Sequence, residues 1–402
     1  MSQVISAEPL ASLLQSPQIV EAFELIDRIS AEVEDEAVRI CEIPAPPFEE
    51  AARRAYVRSR FLELGLTDVQ EDDEGNLLSC RAGETSLPSI VFAAHLDTVF
   101  PEGTDVRVKR RGNRLMAPGI SDNSCGVASL ITLARVLNEV GLATRGTVYF
   151  VGTVGEEGEG NLRGVRYLFR DGLFKSGVDA FVSLDGPGLD RVTNAALGSR
   201  RYRVTITGPG GHSWGDFGIV NPIHALGRAL ARLAAYPAPS TPRTSFNAGL
   251  IDGGNSVNAI PQWASFSVDI RSVSDTEIDK LESYLKHIVD IAVREEDSQR
   301  TLSSTRLEYE IEMIGDRPSG ATPPESHLVR AATECSRAVG IEAHLDCSST
   351  DSNIPISLGI PAITLGVGGA SANCHSLNEW YEPTGREAGL KRLVLLAMLL
   401  AG

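Results

Sequence analysis

Five side chains spread along this sequence, His95, Asp122, Glu157, Asp185 and His375, are of types that bind divalent cations. Three of these positions come directly after short apolar runs. Ser-Ile-Val-Phe-Ala-Ala leads into His95-Leu96-Asp97, Val-Tyr-Phe-Val-Gly-Thr-Val-Gly into Glu156-Glu157, and Ala-Phe-Val-Ser-Leu into Asp185. Asp122 stands just before a helix beginning near Val127, and His375 lies ten residues beyond the run ending at Leu365, past a glycine-rich loop. Two neutral imidazoles with three carboxylates make a mixed nitrogen/oxygen set suited to zinc, with cobalt or manganese as substitutes. One carboxylate can bridge two ions about 3.5–4 Å apart, and such a pair acidifies water and polarises a carbonyl. Hydrolysis also needs a carboxylate left off the metals, to accept the proton of water and pass it to a leaving nitrogen. The Glu156-Glu157 pair supplies both kinds, because neighbouring side chains in a loop can point in different directions. Each motif alone is weak, since His-x-Asp, Glu-Glu and a helix-capping Asp are all ordinary. The order and setting of all five carry the reading.

These residues need elements that bring them together. The runs Ser89–Ala94, Thr147–Val154, Ala180–Leu184 and Ala362–Leu365 read as buried strands, with amphipathic helices at Val127–Val140 and Leu162–Phe169 between them. Helical spacing over 17–43 and 47–64 is broken by Pro44, Pro46 and Pro47. Buried strands alternating with helices predict a three-layer α/β domain, whose sites lie beyond the carboxyl ends of the strands. The middle of the chain reads differently. Arg201–Thr207, Thr244–Leu250, Ser265–Arg271 and Leu307–Ile314 alternate like half-exposed strands, with helices at about 222–235 and 275–294. That order predicts an inserted α+β domain with a four-stranded antiparallel sheet and two helices. The α/β pattern resumes with a helix from about Pro324 to Val339. We expect a discontinuous catalytic domain of 1–197 and 317–402, with an insert of 198–316.

Composition narrows the class. The chain has 402 residues, 53 acidic and 37 basic side chains, and a formal charge of -16. An acidic surface repels nucleic acid and anionic membrane, so neither is an expected partner. No apolar run reaches the roughly 18 residues of a membrane span. Met1–Ser6 has no basic segment leading into an apolar block, so no signal peptide is expected. The six cysteines lack a CxxC pair and read as reduced thiols of a cytoplasmic protein. Cys374, beside His375, reads as packing.

From about residue 40 onward the sequence resembles the two-zinc metallopeptidases that include peptidase T, glutamate carboxypeptidase, succinyl-diaminopimelate desuccinylase and aminoacylase. The resemblance implies that His95 and Asp185 hold one zinc, Glu157 and His375 the other, and that Asp122 bridges them. It makes Glu156 the general base and Asp97 the carboxylate that orients His95. It also implies that the insert is a lid. Gly210-Gly211-His212-Ser213 matches a segment whose histidine, in dimeric relatives, reaches the partner's active site to stabilise an oxyanion. Gly253–Pro261 and Asp269-Ile270-Arg271 match a substrate-carboxylate segment, in which Arg271 would fork onto a carboxylate and Asn258 donate beside it. Gly366-Val367-Gly368-Gly369 resembles the loop where substrate backbone approaches the metals; for Gly368 and Gly369 the missing Cβ is the physical reason. Ser349–Asn353 and His375–Trp380 most resemble the peptidase T side of the family. Asn123-Ser124-Cys125 departs from the usual residues after the bridging aspartate.

The expected substrate is a short peptide or an acyl amino acid. An aspartate at Asp185 is commoner in aminopeptidase-type relatives, which favours a di- or tripeptide aminopeptidase over an N-acyl amino acid deacylase or carboxypeptidase. The lack of a basic phosphate cradle argues against phosphoester hydrolysis. A spare carboxylate at Glu156 argues against a purely structural metal site. Relatives dimerise through the lid, so a homodimer is expected.

Overall fold

Every residue of the strand Ser89–His95 is buried, so both of its faces need cover. Ile90, Phe92 and Ala94 enter one core and Val91 and Ala93 a second, following the two-residue alternation of a strand. The first core is closed by helices Pro17–Arg28, Ser30–Cys41, Ala51–Glu63, Cys125–Glu139, His327–Ala338 and Arg386–Ala401. The second is closed by Arg163–Arg170 and the short helix Asn353–Ser357. The result is a three-layer α/β unit. The computed structural model describes residues 8–302 and 305–402; the Met1–Ser6 segment read for a leader lies outside them.

The chain divides into two compact units, Met1–Ala196 with Ala321–Gly402, and Leu197–Gly320. The sheet of the first runs in the order Thr67–Glu71, Leu77–Arg81, Thr147–Thr153, Ser89–His95, Ala180–Leu184, Ala362–Leu365, Arg191–Ala196. Its four central strands, Thr147–Thr153 through Ala362–Leu365, are parallel, so their carboxyl ends emerge along one edge. The outer strands are less regular: Leu77–Arg81 and Arg191–Ala196 run antiparallel to their inner neighbours.

The second unit has four antiparallel strands in the order Thr244–Gly253, Trp263–Ser272, Gly198–Thr207, Glu308–Arg317. Helices Pro222–Ala234 and Asp275–Gln299 cover the face carrying Tyr202, Val204, Ile206, Phe266, Val268 and Ile270. This is the expected α+β sheet. The expected boundary at 316/317 falls four residues before the division at Gly320, because Arg317 is still a ladder partner of Ser199.

Some elements escape the sequence patterns. Thr67–Glu71 is largely exposed and carries no apolar alternation. Arg386–Ala401 is apolar on nearly every side and buried, which removes the helical stripe that marks amphipathic helices.

Phe92 is fully buried in the central strand, so Phe92→Ala should cost about 3–5 kcal/mol of stability, read as a lower denaturation midpoint in urea.

Candidate metal centre

Parallel strands put three of the five candidate ligands at the same edge. His95 ends its strand, Glu157 follows Thr147–Thr153 by a short turn, and Asp185 directly follows Ala180–Leu184. Asp122 arrives differently. Gly119, at φ +79, turns the chain into the irregular segment Ile120–Ser124 that precedes helix Cys125–Glu139. That helix seats tightly on the strand edge, since a Cβ at Gly126 would stand 2.6 Å from the Leu184 carbonyl oxygen. Asn123 ties the two loops, donating from Nδ2 to Leu184 O at 2.8 Å and accepting from the Gly186 N–H at 3.3 Å. The departure at this position from the resembling family's pattern therefore has a local function.

The geometry is that of a shared carboxylate. Asp122 Oδ1 lies 3.1 Å from His95 Nε2, and Asp122 Oδ2 lies 3.1 Å from His375 Nε2. Asp185 Oδ1 is 3.8 Å from His95 Nε2, and Glu157 Oε1 is 3.0 Å from His375 Nε2. Two donor clusters follow, His95/Asp122/Asp185 and Asp122/Glu157/His375, each with its ligand atoms within 4.8 Å of one another. Glu156 joins His95 and Glu157 in a third cluster of the same compactness. His95 Nε2 and Asp122 Oδ1 are both buried and face each other at 3.1 Å, yet neither makes a well-directed hydrogen bond to any group. Buried polar atoms are rarely left so, and a cation between them would satisfy both. The donor set fits a pair of divalent ions.

Electrostatics follow the same logic. Asp122 and Glu157 together hold the His375 imidazole up to about 11. Burial pushes the Glu157 carboxyl up against the opposing hydrogen bond from His375. Asp97 is fully buried, yet His95 and the N–H groups of Glu157 and Glu156 outweigh burial and hold it below its ordinary range. It stays a carboxylate.

Around the ligands lies a tier of supporting groups. Asp97 accepts the N–H of Glu156 at 3.0 Å and of Glu157 at 2.8 Å. Its own backbone carbonyl, at 3.1 Å, is nearer to His95 Nδ1 than its carboxylate, at 3.7 Å. The expected orienting of His95 is thus shared between backbone and side chain. Arg53, fully buried, donates to the carbonyls of Leu96 at 2.8 Å and Ile43 at 2.7 Å; burial lowers it to about 10, which keeps it charged at neutral pH. Glu379 accepts the N–H groups of Gly119 and Ser121, both at 2.8 Å, of Asp122 at 3.1 Å, and the Ser121 hydroxyl at 2.6 Å. Neither Arg53 nor Glu379 was singled out in the sequence. The one available signal for Glu379 was its place four residues after His375.

A cavity of about 1140 Å³ opens from this centre, lined by Asp122, Glu156, Glu157, Asp185 and His375 and reaching Asp190, Arg191 and Glu342. Gly369 lines it, and the protein's own packing also requires the missing Cβ at both glycines. A Cβ on Gly368 would stand 2.6 Å from Arg386 Cα, and one on Gly369 2.5 Å from Glu382 O, in the protein's own packing. Both residues also have φ near +100, at +102 and +96. Cys374, expected to be packing, is exposed and lines the cavity.

His212, Asn258 and Arg271 belong to the other unit. His212 pairs across from Ala259, and the Ser213 N–H donates to Asn258 O at 3.0 Å. His212 Nδ1 accepts the N–H groups of Trp214 at 3.1 Å and Gly215 at 3.2 Å, so in the neutral ring Nε2 carries the proton and is a donor. Arg271 does not join them. It sits eight residues along the strand from Trp263, about 26 Å at ~3.3 Å per residue, whereas Asn258 lies in the loop before Trp263. Its Nε is already bound to Asp269 at 2.6 Å. The expected side-by-side pairing of Asn258 and Arg271 is not what this unit contains.

Comparison with known proteins agrees with this chemistry. The pattern that defines Peptidase family M20/M25/M40 matches residues 91–399. The chain belongs to that family. It is a metal-dependent amide hydrolase. The uncharacterized protein YqjE of Bacillus subtilis is 25% identical over 91% of this chain and 94% of its own. Succinyl-diaminopimelate desuccinylase of Nitrosococcus oceani is 26% identical, covering 82% of this chain and 88% of its own. Among solved structures, a tripeptidase from Staphylococcus aureus superposes with a TM-score of 0.77 at 21% identity, and the aminopeptidase PepT of Bacillus cereus with 0.74 at 22%. Each covers 92% of this chain and 98% of its own. These two likenesses speak for the fold.

Two outcomes follow for this M20 chain. Glu379→Ala strips the acceptor from the loop carrying Asp122 and should weaken metal retention about 10- to 100-fold, read by metal analysis after dialysis against graded chelator. Because Asp122 and Glu157 raise the proton affinity of His375 well above that of a free imidazole, a metal ion must displace a proton there. Affinity should therefore rise with pH, and calorimetry at pH 7 in buffers of different ionisation enthalpy should register proton release.

Proposed function

We propose that this protein is a two-zinc aminopeptidase acting on di- and tripeptides, with Glu156 as its general base. The observation that carries the reading is the convergence of five ligands about Asp122, with a second buried glutamate, Glu156, beside the ligand Glu157. In this reading His95 and Asp185 hold one ion, Glu157 and His375 the other, and Asp122 both. Cobalt or manganese could substitute. Bound ions supply Lewis-acid polarisation of the scissile carbonyl and ease the ionisation of water. Glu156 takes the proton of the attacking water and delivers it to the leaving nitrogen, which departs as a neutral amine. Asp97 fixes the backbone that carries Glu156, so the base meets the substrate without reorganising.

Three points favour a free amino terminus in the substrate. Asp185 is an aspartate, the type that the resemblance associates with aminopeptidases. The cavity wall carries Asp190 and Glu342 beyond the ligands, which suits a protonated amine. The similar folds include a tripeptidase and an aminopeptidase. The competing reading is N-acyl amino acid deacylation, favoured by the desuccinylases among the relatives. His212 is proposed as a second electrophilic group, donating from Nε2 to a developing oxyanion. Arg271 is proposed, as the resemblance implies, to fork onto a substrate carboxylate through its Nη groups, its Nε being bound to Asp269, with Asn258 as a further donor.

We further propose a homodimer formed through the edge strand Thr244–Gly253, where Leu250 and Ile251 are 70% and 67% exposed. Six unpaired cysteines favour a reducing, cytoplasmic setting. No helix of the described residues is long and apolar enough to cross a membrane.

Glu156→Gln should lower kcat by at least about 100-fold while metal analysis still finds two ions per chain; full turnover would remove its role. In a panel of tripeptides, amino-blocked tripeptides and N-acyl amino acids, the free tripeptides should be cleaved fastest. Preference for blocked or acylated compounds would select the deacylase instead. Sedimentation should find a dimer, and a fully active monomer would exclude an action of His212 in trans.

A further inference from the structure

The turn carrying Glu156 and Glu157 is gripped from two sides. Asp97 holds the N–H groups of both glutamates, as described. The N–H just before them, on Gly155, donates to Oε1 of Glu50 at 3.1 Å. Glu50 is 2% exposed, lies more than a hundred residues earlier in the chain, and does not line the cavity. It is itself locked. Arg163 Nη2 reaches both of its carboxylate oxygens, at 2.7 and 2.8 Å. Arg163 Nη1 is fixed in turn by the carbonyl and the carboxylate of Glu74, both at 2.8 Å, and the guanidinium lies 4.9 Å from the Phe48 ring centre. The Arg163 side chain also packs directly on the turn. Gly155 has φ +62, and a Cβ there would stand 2.6 Å from Arg163 Cγ and Nε.

A buried ion pair contributes little net stability compared with well-packed apolar groups of the same volume. Its use here is geometric. Two carboxylates, Glu50 and Asp97, hold three consecutive amides, and that fixes where the Glu156 side chain starts. We propose that Glu50, locked by Arg163, is a positioning residue for the reaction: it acts through the Gly155 amide to hold Glu156 at its working distance. The inference rests on Glu156 being the proton acceptor. It assigns no substrate or metal contact to Glu50, so it separates rate from binding.

The test compares Glu50→Ala, Glu50→Gln and the charge-free pair Glu50→Leu/Arg163→Met, which also lacks the acceptor oxygen, with the wild-type zinc enzyme, measuring kcat, KM, metal content and melting temperature on one tripeptide. A misplacement of about 1 Å can cost up to about 100-fold in rate. Glu50→Ala should lower kcat by about 10- to 100-fold with KM and two bound ions unchanged. Glu50→Gln keeps an oxygen for the Gly155 N–H and should recover most of that loss. If Glu50→Ala does not fold, the same kcat-only loss is sought in the charge-free pair, where no buried charge is left alone. Wild-type kcat in folded, fully loaded Glu50→Ala, or in the charge-free pair where Glu50→Ala does not fold, overturns the proposal, as does a loss of activity that tracks loss of metal. Glu156→Gln is assayed alongside. If it retains turnover, the base assignment fails; if it is inactive while Glu50→Ala is not, only the positioning role falls.

Discussion

Carboxylates crowded into a buried crevice repel one another, and this centre gathers Asp97, Asp122, Glu156, Glu157 and Asp185 at one sheet edge. Burying even one unpaired carboxylate is costly. The structure meets that cost from behind with backbone amides. Asp97 takes two amides of the Glu156-Glu157 turn, and Glu379 takes three of the loop that carries Asp122. From the front, His95 Nε2 and Asp122 Oδ1 face each other at 3.1 Å without a well-directed hydrogen bond, an arrangement that a divalent cation would complete. Several local features around the centre accord with this balance. They include the left-handed Gly119, the tight seat of Gly126 and the buried guanidinium of Arg53.

The parallel sheet is what allows such crowding. Its central strands end together, so residues nearly three hundred positions apart in the chain meet without any long loop having to be held in place. The second unit is an independent construction, an antiparallel sheet with its own core beneath two helices. There the notable group is His212, whose ring is fixed by two backbone amides while it remains exposed.

Much of this was legible before any coordinates. Ala180–Leu184 and Ala362–Leu365 are strands with the expected limits, because short runs that are apolar but for one small hydroxyl residue leave few alternatives. Four of the five candidate ligands were legible as ionisable residues placed just after an apolar run or before a helix, whereas His375 stands ten residues beyond its run. What was hidden is instructive. Glu379, Glu50 and Arg53 act through backbone amides and carbonyls, and such partners have no residue type to form a motif. The helix Arg386–Ala401 was hidden by being apolar on all sides. At Gly368 and Gly369 the sequence could not show a second reason for glycine, the close packing of Arg386, Tyr381 and Glu382 against the positions a Cβ would take. Arg271 and Asn258 were paired by motif, and the register of Trp263–Ser272 separates them.

One feature of the ligand set bears on how the molecule comes into being. His95, Asp122 and Asp185 lie in the first half of the chain, whereas His375 and Glu379 belong to its last thirty residues and arrive with the strand Ala362–Leu365. During synthesis the first cluster can therefore exist as a set of residues long before the second. The loop bearing Asp122, however, gains its acceptor only when Glu379 has been made. The backbone amides of that loop lack this acceptor until almost the whole polypeptide has emerged, so completion of the centre is a late event, tied to the docking of the C-terminal segment.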